Sequence, residues 1–328
     1  MEYTKSEAKA WAREKLVGQW TTMVTPFTKD DRLDEAGLKR NVEHVLSLGT
    51  KGLGFSWNMG EFWSLTREER LRLMDIVPEL VNGRAMTAFQ VTSTSLNEVI
   101  ELSERARQRG FDFVIVAAPF IMTKTEEQVI DFVRRVSERT DIGIAFYNSP
   151  QFGITISAKG LSRIADIPSV IAIKEASFNT QISIDTHLLA GGKAVVSVPD
   201  EEIFLYEQYY GFHQQVMFAN TSDWRFDTKS RHEYVKFIDA ATTGNQEKAR
   251  GLYEKVKPIK MVSRKWWSQT AAKTGGALPV QMVKCWGELM GMAGGAVRPP
   301  VIPFSEEDRT ALKEDLARLG LVEQSVIE

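Results

Sequence analysis

A lysine that closes a run of apolar residues is the first chemically suggestive feature of this sequence. In Ser169-Val170-Ile171-Ala172-Ile173-Lys174-Glu175-Ala176-Ser177, four apolar side chains lead straight into Lys174. An uninterrupted β-rich run of this length reads as a strand buried on both faces, as in a parallel sheet. Lys174 then stands where the strand ends. An amine at the mouth of a dry core loses the solvation that favours its charged form, so its pKa falls and it can attack a carbonyl carbon. Taken alone, the stretch more often describes a solvated lysine at a strand end. The remainder of the chain has to discriminate.

The elements that would position Lys174 alternate regularly. Strand-like runs fall at residues 20–25, 52–57, 86–91, 113–118, 143–148, 170–174, 194–198 and 215–220. Amphipathic helical stretches lie between them, for example at 35–48, 67–81, 96–109, 126–139 and 158–167. Thr66 before Arg67-Glu68-Glu69 and Ser95 before Leu96-Asn97-Glu98 are helix N-caps. Strand–helix units recurring every roughly 20–35 residues predict an α/β fold, a (β/α)8 TIM barrel. The competing architecture is a doubly wound open sheet. Its nucleotide-binding version lacks support, because no GxGxxG or GxxxxGK[ST] follows a strand. After residue 228 the strands stop and helical segments follow at 230–243, 246–257, 280–291 and 305–319. The expected organisation is an N-terminal helical extension (1–17), the barrel (18–228) and a C-terminal helical domain (229–328).

Composition excludes several function classes. The formal charge of −2 over 328 residues gives no electrostatic reason to expect nucleic acid or a membrane surface as partner. An apolar fraction of 43% supports a large core and rules out global disorder. Cys285 is the only cysteine, so no intrachain disulfide can form, which fits a cytoplasmic location. The N-terminal residues lack an apolar signal core, and no run of about 18 apolar residues suggests a membrane span. His44, His187, His213 and His232 show no metal-ligand spacing.

In a barrel the active site lies at the C-terminal ends of the strands. That rule selects Trp57, Asn58, Met59, Gly60 and Glu61 after the second strand, Pro119 and Phe120 after the fourth, and Tyr147 at the fifth. It also selects Lys174 at the sixth, Asp200 and Glu201 at the seventh, and Asn220 and Thr221 at the eighth. Adjacent strands lie about 4.8 Å apart, so Tyr147 and Lys174 can reach one substrate atom. A phenol beside an amine suits imine chemistry, the amine forming the carbinolamine and the phenol moving protons.

These positions carry a resemblance. Thr22-Met23-Val24-Thr25-Pro26-Phe27, Gly60-Glu61 with Ser64-Leu65-Thr66-Arg67-Glu68-Glu69-Arg70, Tyr147-Asn148-Ser149-Pro150, Ile173-Lys174-Glu175-Ala176-Ser177 and Gly294-Gly295-Ala296-Val297-Arg298-Pro299-Pro300 occur in that order. In order and spacing the chain from Gly18 onward resembles the dihydrodipicolinate synthase / N-acetylneuraminate lyase family of Schiff-base-forming lyases. The resemblance implies a barrel with a C-terminal helical domain, a homotetramer, no metal or organic cofactor, and an imine between Lys174 and a 2-keto acid. It implies Tyr147 as proton shuttle, a backbone carboxylate-binding loop that includes Gly60, and contacts from Asp200 and Glu201 to polar parts of longer substrates.

The departures narrow the substrate. The family's Gly-Thr-Thr before Gly-Glu is replaced by Trp57-Asn58-Met59; Asn58 can donate a hydrogen bond and Met59 cannot. Pro119-Phe120-Ile121 carries no tyrosine where the synthase has one, and Gln151-Phe152-Gly153 carries no arginine after the Tyr-Asn-x-Pro motif. Lysine biosynthesis and sialic acid cleavage therefore fit poorly. Trp57, Phe120 and Phe152 as pocket walls suit an aromatic substrate, as in the family's hydratase-aldolases, which release pyruvate and an aromatic aldehyde. An alternative is a dehydratase or aldolase of a deoxy-keto sugar acid, using Asp200, Glu201, Asn220 and Thr221 as polar partners. A second alternative is a non-catalytic relative that binds a small molecule. The blander readings are core packing for the aromatic residues, helix capping for Asp200 and Glu201, and a structural role for Glu61. Trp266-Trp267 reads as packing against a helix or a subunit.

Overall fold

The computed structural model describes residues 2–323. Met1 and residues 324–328, which the sequence assigns to the two terminal segments, lie outside the described residues. Helix α1 (Ala8–Lys15) is followed by strand–helix units: β1 (Gly18–Thr22), α2 (Glu35–Ser47), β2 (Gly52–Phe55), α3 (Arg67–Val81), β3 (Met86–Gln90), α4 (Leu96–Gln108), β4 (Phe113–Ala117) and α5 (Glu126–Glu138). Then come β5 (Gly143–Asn148), α6 (Ala158–Ala165), β6 (Val170–Glu175), α7 (Thr180–Ala190), β7 (Val195–Ser197), α8 (Ile203–Tyr210) and β8 (Val216–Asn220). The chain ends with α9 (Ser222–Phe226), α10 (Glu233–Thr242), α11 (Gln246–Lys273), α12 (Val280–Leu289) and α13 (Glu306–Arg318).

All eight strands are parallel, β1 to β7 are paired in sequence order, and β8 pairs with β1. The open sheet is thereby excluded. The seam between β7 and β8 is closed by side chains instead of a backbone ladder. The Gln214 carboxamide accepts from Val198 N (2.7 Å) and donates to Val198 O (3.1 Å), and Ser197 Oγ accepts from Phe218 N (2.7 Å). The structure is thus a nearly closed (β/α)8 barrel with a C-terminal helical region.

Two tryptophans fill the barrel and set the height of the site. Trp20 packs against Phe113 and Phe218, with centroids 5.1 and 5.5 Å away; Trp57 lies 6.3 Å from Phe218. Their rings fit because β2 offers glycines. A Cβ on Gly52 would stand 2.2 Å from the Trp20 ring, and one on Gly54 would stand 2.6 Å from the Trp57 ring. Layers of side chains usually fill such barrels; here Trp57 forms the top layer, beneath the strand ends.

The terminal segments are fastened to opposite ends. At the N-terminal end, Tyr3 OH accepts from Gly143 N (2.9 Å) and donates to Asp112 O, and Lys9 Nζ donates to Ala165 O. Toward the C-terminus, helix α10 packs on β1 and β8 as well as on α11, and so joins the barrel to the helices that follow. The segment expected at 246–257 continues to Lys273 through Pro258. Proline costs a helix one hydrogen bond and usually ends it; in α11 it sits inside the helix, whose later turns hold the buried Val256, Ile259, Ser263 and Trp266 against the remainder of the fold.

Candidate active site

Lys174 and Tyr147 are direct partners in the β5–β6 ladder, so parallel strand geometry alone places the two side chains side by side. Lys174 is 5% exposed. Its Nζ donates to Ala219 O at 2.8 Å and stands 4.8 Å from the Trp57 ring centroid and 4.5 Å from that of Tyr147. Ala219 takes a left-handed conformation with φ 47°, unusual for a residue with a Cβ, and its carbonyl also accepts from Thr22 Oγ1 at 2.8 Å. Two π faces favour the ammonium form, yet burial outweighs them and lowers the lysine from 10.5 to about 7. A substantial fraction of the amine is therefore unprotonated near neutrality.

Tyr147 is buried, which pushes its phenol above the ordinary range, against a Ser149 hydrogen bond that lowers it. Asn58 Nδ2 donates to the phenol oxygen at 3.3 Å, which leaves the phenolic proton free to be given elsewhere. The neighbouring motif residues hold the loops. Asn148 pins Ile156 through both atoms of its carboxamide, Nδ2 to Ile156 O (3.0 Å) and Ile156 N to Oδ1 (2.9 Å). Glu175 turns away from the amine and accepts from Ser177 N at 2.8 Å. Glu61 is fully buried in an ion pair with Lys284 of α12 (2.7 Å). Burial raises its carboxyl and the lysine opposes this.

Eight of the strand-end residues singled out from the sequence line one cavity of about 390 Å³: Asn58, Met59, Tyr147, Lys174, Asp200, Glu201, Asn220 and Thr221. Phe120 and Phe152 line an adjoining cavity of about 650 Å³, which meets the first at Asn58 and Leu278. There Phe62 packs against both, 6.4 and 6.1 Å away, and Phe152 backs Tyr147 at 5.3 Å. Trp57 and Gly60 line neither cavity among the described residues. Trp57 is the floor under the amine, and the Gly60 N–H is spent on Trp57 O (2.7 Å). Asn220 is engaged from two sides, by Gln19 (2.9 Å) and Tyr234 OH (2.6 Å).

The C-terminal helices contribute groups that sequence reasoning missed. Lys260 of α11 lies 2.9 Å from Asp200 and 2.8 Å from Glu201, and Arg264 lies 2.7 Å from Glu202. Burial lowers the Lys260 ammonium, but the Glu201 and Asp200 carboxylates outweigh it and hold it above the usual range. Trp267 and Arg225 complete the wall, while Trp266 is buried and bonds Asp315 (2.9 Å). Arg225 follows the eighth strand by a few residues and was within reach of the strand-end rule; Lys260 lies beyond Pro258 and gave no local signal. No group of three or more His, Cys, Asp or Glu side chains among the described residues is placed to hold a metal ion.

Comparison with known proteins assigns this geometry to a family. The model of the dihydrodipicolinate synthetase family matches residues 15–319. The chain belongs to that family. Among its relatives is the 4-hydroxy-tetrahydrodipicolinate synthase of Methanothrix thermoacetophila, 28% identical over 306 residues and covering 92% of this chain and 97% of that one. A monomeric dihydrodipicolinate synthase variant superimposes with a TM-score of 0.80 at 25% identity, covering 94% and 98% of the two chains. A prophage protein of the family from E. coli K12, in complex with pyruvate, shares the fold with a TM-score of 0.79 at 22% identity, covering 93% and 99%. Members of the dihydrodipicolinate synthetase family are Schiff-base-forming, pyruvate-dependent aldolase-type lyases, and this chain is a divergent member of that enzyme class. No helix among the described residues is long and apolar enough to cross a membrane.

Proposed function

We propose that the protein is a lyase in which Lys174 forms an imine with a 2-keto acid and Tyr147 moves the protons. The observation that carries this reading is the dry amine of Lys174, held about 7 by burial and paired strand to strand with a phenol. The neutral amine adds to the keto carbon, and Tyr147 gives its proton as the carbinolamine hydroxyl departs as water. The resulting iminium draws in the electron pair of the bond that breaks beyond the adjacent carbon, which leaves an enamine. Asn58 keeps the phenol oriented throughout.

For the leaving portion, a polar chain is the better supported. The cavity that contains Lys174 is bordered by Asp200, Glu201, Asn220 and Thr221, whereas Phe120 and Phe152 face the neighbouring space. The reading is a dehydratase or aldolase of a deoxy-keto sugar acid. The aromatic-lined cavity favours a second reading, in which water adds to a benzylidenepyruvate imine and retro-aldol cleavage releases pyruvate and an aldehyde. Parallel assays with a benzylidenepyruvate and a deoxy-keto sugar acid separate the two. Turnover of only the sugar acid supports the first reading, and turnover of only the benzylidenepyruvate overturns it. A small-molecule binder without turnover fits less well, because binding alone has no use for a desolvated amine beside a proton donor. A homotetramer in the cytoplasm belongs to the same proposal, and light scattering on the purified protein tests the assembly.

A further inference from the structure

The guanidinium of Arg225 is a buried cation with no part in the scheme above. It is 4% exposed and lines the cavity that holds Lys174. Nε donates to Thr221 O (3.2 Å) and Thr221 Oγ1 (2.9 Å), and Nη1 donates to Ser263 Oγ (2.6 Å). The flat group is braced by the Phe226 and Trp286 rings, 5.3 and 5.2 Å from its central carbon. Among the described residues no carboxylate lies within 4.0 Å of it and Nη2 has no hydrogen-bond partner, although that atom is not sealed from the cavity. The acids nearby are already engaged. Glu201 accepts from Tyr234 OH (2.9 Å) and Ser222 Oγ (3.2 Å) and pairs with Lys260. Asp223 accepts from Thr21 Oγ1 and Thr50 Oγ1, each at 2.7 Å.

Desolvating a cation without an ion partner is unfavourable, and the fold accepts that cost in the wall of the cavity that also holds Lys174. A planar fork with free N–H groups in a dry wall is matched best by a carboxylate. We infer that Arg225 receives a second, distal carboxylate, so that the substrate is a 2-keto acid charged at both ends; this rests on the Lys174 reading. The reach is suitable. The carbonyls that hold the two cations, Ala219 O and Thr221 O, belong to residues two apart in the chain and so lie within roughly 7 Å of one another, with the Lys174 amine and the Arg225 guanidinium each one hydrogen bond beyond. A five- or six-carbon 2-keto diacid bridges a span of that order. Lys260 and Arg264 border the same cavity, but their charges are matched by Asp200, Glu201 and Glu202, which leaves anion recognition to Arg225.

The test compares keto acids matched in length. Imine formation is titrated by borohydride trapping and intact mass, with 2-oxoadipate against 2-oxohexanoate, 2-oxoglutarate against 2-oxopentanoate, and pyruvate as reference. The wild-type protein is expected to trap each diacid at a half-saturating concentration at least ~10-fold below its monoacid, a factor worth about 1.4 kcal/mol. Arg225→Gln is expected to collapse that ratio toward one, and Arg225→Lys to retain part of it. Arg225 also supports Thr221 and Ser263, so a variant that fails to fold leaves the wild-type ratio as the deciding result. Equal half-saturation of diacid and monoacid, with pyruvate trapped, overturns this inference alone. Absence of trapping with every keto acid, pyruvate included, overturns the Lys174 reading and this inference with it.

Discussion

The amine of Lys174 proposed to form the imine is set by what surrounds it, not by a neighbouring base. Among the described residues, one carbonyl, two ring faces and no carboxylate within bonding distance meet the amine, and exclusion of water lowers its pKa. The rate of trapping by pyruvate and borohydride should therefore rise through about pH 7, where an ordinary lysine would still be rising near 10.5; a stopped pH series reads this directly. Stability is linked to the same group. Its folded pKa lies below its unfolded value, so the unfolded chain binds more protons between about 7 and 10.5, and stability should increase as pH rises through that window. Lys174→Met should remove that slope in urea titrations and raise stability by about 1–2 kcal/mol while ending trapping, the trade expected where a site holds an unfavourable group. Tyr147→Phe keeps the ring against Phe152 but removes the proton. Turnover should fall ~10²–10⁴-fold with little change in stability, as rate assays and thermal melts will show.

The elements explain why those side chains meet. Register pairs Tyr147 with Lys174, and β2 makes room below them through Gly54. Gly54→Ala would press a methyl into Trp57, 2.6 Å away, and drive the indole toward the amine. A loss of about 1–3 kcal/mol and slower trapping are expected from melts and mass kinetics. The loop after β2 is tied to α12 by the enclosed Glu61–Lys284 pair, in which Lys284 also donates to Thr25 O (2.9 Å) and Ala296 O (2.6 Å). Lys284→Met would strand a buried carboxylate and should destabilise by ~3–5 kcal/mol in denaturant titration, with part of that loss recovered when Glu61 is also replaced by an apolar residue. This much was legible in the sequence: strand ends, caps and the positions of Lys174 and Tyr147 follow from alternation and period. The walls were less so. Trp57 reads as a pocket lining but lies beneath the amine, because a residue just past a strand end can turn either into the barrel or out to the mouth, and only Gly54 across the pleat decides which.

At the scale of the whole molecule, the two ends of the chain close opposite ends of the barrel. The N-terminal segment closes the base of the barrel through Tyr3 and Trp11, whose rings lie 4.5 Å apart, and α11 brings Lys260 and Ser263 to its mouth. Such long-range contributions carry no local signature, which is why Lys260 and Arg264, the basic partners of Asp200, Glu201 and Glu202, were invisible before folding, whereas the resemblance of the short motifs was enough to place the family. The proposed function depends on the covalent step. Incubation with pyruvate and borohydride, followed by digestion and peptide mass analysis, tests it most directly. A single reduced pyruvyl adduct on the peptide containing Lys174, absent from Lys174→Met, is the expected result. An unmodified protein, or an adduct at another lysine that persists in that variant, would contradict it.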